Sequence, residues 1–136
     1  MGRLSGARLS LPGALLAFAD RELPELGGAE KVAFLFGPHL PFDWLPGDRL
    51  RYSAMTLWRT VHVRDRGVPF TPLQPLWLEL VLHELVHVAQ YQRLGALGFP
   101  AAYLGGLALS GYEAHPLEAE ARARAAELAP KFLASQ

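Results

Sequence analysis

Apolar residues recur along the chain with two periods, and in one long segment they are apolar almost all round. Leu15, Leu16, Ala19 and Leu23 stand at helical spacing within residues 11–24, which predicts an amphipathic helix with Ser10 as its cap and Pro12 in its first turn. Lys31-Val-Ala-Phe-Leu-Phe36 is a short apolar run that fits a strand or a buried turn of helix equally well at that length. Met55-Thr-Leu-Trp-Arg-Thr-Val-His-Val-Arg64 has the alternation and β-branching of a half-buried strand, ended by Asp65-Arg-Gly67. Pro38, Pro41, Pro46 and Gly47 before that strand, and Thr71-Pro72 and Pro75 after it, mark irregular chain.

Leu76 to Leu94 is the longest periodic segment, stopped by Gly95, and its apolar surround predicts a central buried helix. Phe99, Tyr103 and Leu107 recur every four residues, which predicts a further helix closed by Ser110-Gly111. A last helix starts at Pro116, since proline is tolerated in a first turn, and runs to about Leu133 with a kink or an early end at Pro130. These elements predict a single α+β domain over residues 1–136, a small β-sheet packed on the buried helix and on the C-terminal one.

Composition narrows the classes. With 136 residues, 51% apolar and 19% charged, the chain can bury a core and carries no segment of disordered composition. Net charge is zero with no basic run, so neither nucleic acid nor an anionic membrane is an expected partner. There is no cysteine, so disulfides are excluded and any metal site must use histidine and carboxylate. Arg3 and Arg8 followed by Leu9–Leu16 and Ala17-Phe-Ala19 imitate a secretory leader, but Pro12 and Gly13 break its apolar stretch and a cytoplasmic location is the expectation. Oligomeric state is not readable at this level.

His83, Glu84 and His87 interrupt the apolar run of the buried helix as His-Glu-Leu-Val-His. Four apart, the two imidazoles project from one face on successive turns and can share a zinc ion. Glu84, one residue after the first ligand, sits beside the ion rather than on it, where it can take a proton from water activated there. A helix interior seldom gathers two histidines and a glutamate, because burying them unpaired costs several kcal/mol.

A catalytic zinc wants a third protein ligand and an open position. Glu113, His115, Glu118 and Glu120 are the downstream candidates. From Glu118, the positions three, seven and ten residues on are Ala121, Ala125 and Leu128, an inward stripe, whereas the Glu120 face carries Ala123, Arg124, Glu127 and Lys131. Glu118 is therefore the expected ligand, and Glu120 is expected to face water with Arg124 as its partner.

His83-Glu-Leu-Val-His-Val-Ala-Gln90, Arg93-Leu-Gly95, Tyr112 and Pro116-Leu-Glu-Ala-Glu-Ala121 together resemble the small HExxH zincin-like metallopeptidase domains of the gluzincin type. These include the minigluzincins and the domain-of-unknown-function 4157 group. The resemblance covers residues 54–126, and Thr56–Arg64 looks like the strand those domains place before the metal helix. It implies a zincin-like fold, zinc on His83, His87 and Glu118, Glu84 as general base, and a strand able to pair with an extended peptide or protein substrate. Peptidases of this kind often carry Asp four residues after the ligand glutamate to support a ligand histidine; here Arg122 stands there. For the oxyanion, Tyr112 is the first candidate and His115 the second, both just before the Glu118 helix. Peptide hydrolysis is the leading expectation. A zinc-binding interaction module without productive catalysis is the alternative, and hydrolysis of a non-peptide amide is a third reading.

Overall fold

A computed structural model describes residues 7–41, 53–65, 71 and 74–136. The fold is α+β, with four helices and a small mixed sheet. Four strands, β1 (Ala7–Leu9), β2 (Ala33–Gly37), β3 (Ala54–Leu57) and β4 (Thr60–Arg64), lie in the order β1-β2-β4-β3. The β2–β4 pair is parallel and the other two are antiparallel. Of the two readings of the run at 31–36, the strand is the one adopted. Phe34 and Val61 are register partners, and with Val63 they point into the core.

Residues 55–64 do not form one strand. They fold as a hairpin, β3 and β4, turning at Trp58-Arg59 with Trp58 at φ 57°. A two-residue hairpin turn needs positive φ, usually supplied by Gly or Asn. Trp58 carries no such signal, and packing pays the strain: its ring stands edge-on to Tyr91 at 5.9 Å, and the Arg59 guanidinium lies over it. β1 was not foreshadowed by any pattern, because three residues are too few to show one. The expected irregular chain at Pro46-Gly47 and the turn at Pro72 lie outside the described residues.

Helix α1 (Gly13–Glu22) is shorter than residues 11–24, and Pro12, not Ser10, precedes it as the cap residue with no side-chain bond. Leu15, Ala19 and Leu23 are buried as expected, but Phe18 takes the place given to Leu16 and meets Phe132 edge-on at 5.1 Å. Helix α2 (Pro75–Leu94) ends at Gly95, which donates its N–H to the Tyr91 carbonyl at φ 93°. Helix α3 (Gly98–Ser110) closes at Gly111. Helix α4 (Pro116–Ala134) runs through Pro130, which is exposed, so water can serve the carbonyl that the proline leaves unpaired.

α2 is the centre of the molecule. It packs most extensively on α4, where Ala121 and Ala125 let the two helices approach closely, and its other side lies against the inner face of the sheet at β3. One continuous core joins Leu15 and Phe18 of α1, Phe34, Val61 and Val63 of the sheet, Leu78, Leu82 and Leu85 of α2, and Leu128 and Phe132 of α4. No helix among the described residues is long and apolar enough to cross a membrane. Leu82 is fully buried at the middle of this core. Leu82→Ala should cost about 2–5 kcal/mol of unfolding free energy, read from the urea midpoint at unchanged slope.

Candidate metal centre

The middle turns of α2 present His83 and His87 to the first turn of α4, and Glu118 comes to meet them. Pro116 starts α4 and His115 caps it, accepting the Leu117 N–H on Nδ1 at 3.1 Å. That start sets the helical phase. Glu118 falls on the face of Ala121, Ala125 and Leu128 and is buried with them. Its Oε1 lies 3.0 Å from Nε2 of His83 and 3.2 Å from Nε2 of His87. Atoms bound 2.0–2.1 Å from a tetrahedral zinc stand roughly 3.3 Å from one another, so these separations suit one ion.

The ligand atoms of His83, Glu84 and His87 also lie within 4.8 Å of one another, so distance alone offers a second carboxylate. Engagement separates the two. Glu118 touches both ring nitrogens, whereas Glu84 Oε1 accepts a 2.8 Å hydrogen bond from the Thr56 hydroxyl of β3. Glu84 is thus beside the pair of imidazoles and tied to the sheet. The other Glu118 oxygen accepts from the Tyr103 hydroxyl. Tyr103 belongs to an aromatic stack that runs through Phe99 to Tyr91 and flanks the His87 ring.

Charge is shared unequally across the cluster. Burial alone would lower the His87 pKa, but its hydrogen bond to Glu118 and the charges of Glu84 and Glu118 outweigh it and hold it up at about 9. The geometry says why. His87 has an acceptor at each ring nitrogen, Gln90 Oε1 at 2.8 Å from Nδ1 and Glu118 Oε1 at Nε2, and only the imidazolium can donate to both. A metal ion at Nε2 would stand in for that second proton. Burial likewise would raise the Glu118 carboxyl, yet the bonds from His83, His87 and Tyr103 hold it well below the ordinary carboxylate range.

One side of the cluster is open. The His83 side chain keeps 17% exposure against 7% for His87 and 5% for Glu118. His83 and Glu84 line a cleft together with Ser53 and Ala54 of the β3 edge, Leu76, Glu79 and Leu80 of α2, and Tyr112. Tyr112 is therefore on the same cleft as Glu84, in the loop between α3 and α4. His115 is not: it is buried, and its Nε2 donates to the Tyr103 carbonyl at 2.7 Å while Nδ1 caps α4. Glu113 is exposed, and its carbonyl accepts from Arg122 at 2.7 Å.

Glu120 faces water as expected, but not with the expected partner. Its partners are Arg93 at 3.0 Å and the amide of Gln90 at 2.8 Å, both from α2, while Arg124 pairs instead with Glu127 and the Glu22 carbonyl. Helical phase turns Glu120 away from His83 and His87, yet residues of α2 reach it from the side. Three residues at the cluster, Thr56, Gln90 and Tyr103, had no assigned role in the sequence. Two of them left a trace there: Gln90 is a polar residue in the buried stripe three after His87, and Tyr103 is an inward position whose hydroxyl needs a partner.

No protein-family model, curated protein or solved structure matches this chain.

The His87–Glu118 interaction gives the metal-free protein a definite pH dependence. His87 has a folded pKa above its unfolded value of 6.5, so its contribution is complete below that and lost as pH rises towards 9. Glu118 is depressed, so its contribution disappears as pH falls through the acid range. The melting temperature of metal-free protein should peak between about pH 5 and 6.5 and fall towards pH 9, measured by thermal scans in chelator. A flat profile from pH 6 to 9 would mean that His87 is not held charged.

Proposed function

We propose that the protein is a small zinc-dependent metallopeptidase of the zincin-like, gluzincin type, with His83, His87 and Glu118 holding the metal and Glu84 as general base. The observation that carries this reading is the separation of the two carboxylates. Glu118 contacts both imidazoles, while Glu84 stands at the open cleft, anchored through one oxygen by Thr56. An ion held only for folding has no need of a second carboxylate at an open side.

Bound there, zinc would lower the pKa of a water and polarise a carbonyl. The chain's own groups supply the rest. With Oε1 engaged by Thr56, Glu84 takes the water's proton on Oε2 and delivers it to the leaving amine. Ser53 and Ala54 belong to or border the edge strand β3 and line the cleft, so an extended peptide can add alongside and present its carbonyl to the cluster. Tyr112, on the same cleft, is placed to donate to the oxyanion. A cytoplasmic location belongs to this reading, because the segment that imitates a leader contributes Leu15 and Phe18 to the core.

A zinc-binding interaction module is the second reading, and one feature favours it. Leu97, Leu104 and Leu109, on and just before α3, the helix that supplies Tyr103, are strongly exposed, as a contact surface would be.

Two measurements test the proposal. Purified protein should carry close to one zinc, and chelation should lower its melting temperature, because zinc binds the folded chain in preference to the unfolded one. Glu84→Gln should keep fold and zinc but reduce cleavage of unstructured peptide libraries by about 100-fold or more, since the amide cannot accept the proton. Equal cleavage by wild type and variant removes Glu84 from the reaction. A zinc-loaded wild type inert to all peptides leaves the module reading in its place.

A further inference from the structure

The buried amide of Gln90 makes three contacts that leave it one orientation. Its Nε2 donates to the Leu117 carbonyl at 3.0 Å and to Glu120 Oε1 at 2.8 Å. Both partners are pure acceptors, so both amide hydrogens are consumed and the nitrogen end is assigned by chemistry. Oε1 is then the atom 2.8 Å from His87 Nδ1, and it can only accept. His87 must carry hydrogen on Nδ1, which leaves Nε2 as the ring nitrogen turned to Glu118. Glu120 is itself clamped by two bonds from Arg93, at 3.0 and 3.3 Å.

We propose that Gln90, oriented by the Arg93–Glu120 ion pair, is the positioning residue that makes His87 a metal ligand through Nε2. This rests on the metal-centre reading of the cluster. It supplies by a neutral amide the support that a carboxylate at position 122 would otherwise provide, for Arg122 turns away to the Glu113 carbonyl. A neutral acceptor fixes the ring without adding a third carboxylate to a pocket that already holds Glu84 and Glu118. Arg93 and Glu120 are half-exposed, with side-chain exposures of 46% and 44%, so a surface ion pair controls the hydrogen-bond direction inside the site. Glu120 thereby acquires a role at the metal although it never touches it.

The test compares wild type with Gln90→Leu, Glu120→Ala and the double exchange Gln90→Glu with Glu120→Gln. Zinc affinity is measured by competition with a chromophoric chelator, and the nitrogens of His87 are read by long-range proton–nitrogen NMR of the zinc-loaded protein. Wild type should show zinc on Nε2 and a slowly exchanging proton on Nδ1. Gln90→Leu should weaken zinc binding about 10- to 100-fold and lose that slow proton. Glu120→Ala, a surface change that leaves the core intact, should do the same to a smaller extent. The double exchange swaps donor and acceptor between the two side chains and restores the bond to His87 and the bond between positions 90 and 120, at the loss of those to the Leu117 carbonyl and from Arg93 Nη2, so it should recover part of the affinity and the slow proton. Unchanged affinity in Gln90→Leu and Glu120→Ala, or zinc on Nδ1 in wild type, overturns the inference while leaving the metal centre standing. If Gln90→Leu does not fold, Glu120→Ala and the double exchange decide the matter by the same readings. A wild type that takes up no zinc overturns the metal-centre reading itself, and this inference with it.

Discussion

Two imidazoles and a carboxylate share the interface between α2 and α4, beside a core that is apolar, and a few polar neighbours are arranged to satisfy them. Left unpaired at that depth, each would cost several kcal/mol. Glu118 answers both histidines with one oxygen and Tyr103 with the other, and His87 is held from behind by Gln90. Glu84 is met by Thr56 from the sheet. The partners come from β3, α2, α3 and α4, so each element that contributes one is held in register by the same requirement. In a protein this small, one polar cluster sets the relative placement of three helices and a sheet edge.

The same arrangement makes the two sides of the cluster unequal. On the rear side, Gln90, Glu120 and Arg93 form a closed chain of hydrogen bonds from the His87 ring to the surface. On the front, His83 and Glu84 face a cleft bordered by the edge of β3 and by Tyr112. A rigid back and an open front suit the proposed reaction, in which ligands must be fixed and a substrate must enter. α3 is the loosest of the parts. It touches α2 and α4 over few residues, it is bounded by Gly95 and Gly111 in backbone conformations open essentially to glycine alone, and its outer face is apolar. Gly106 shows how it is nonetheless seated: a Cβ there would stand 2.5 Å from the His115 ring, so only glycine lets α3 lie against the capped end of α4.

Much of this was legible along the chain. α2 and its glycine stop, the helix begun by Pro116, and the inward phase of Glu118 over that of Glu120 all followed from periodicity and from the conformational limits of proline and glycine, which act locally. The histidine spacing followed from the helical repeat. What periodicity could not show was the hairpin at Trp58-Arg59, because the turn is sustained by Tyr91, a residue thirty-three positions away. Nor could it show that Pro130 would be absorbed without ending the helix.

The sequence by itself determined which residues share a face, and so that His83, His87 and Glu118 each lie on the buried side of their helix. Only the tertiary structure decided which faces meet and who satisfies whom. Glu120 illustrates the limit: its phase on α4 is a local property, but its partnership with Gln90 and Arg93 depends on how closely α2 lies alongside. Hydrogen bonds between helices are set by distances of a few tenths of an ångström, and packing of the whole core fixes those distances.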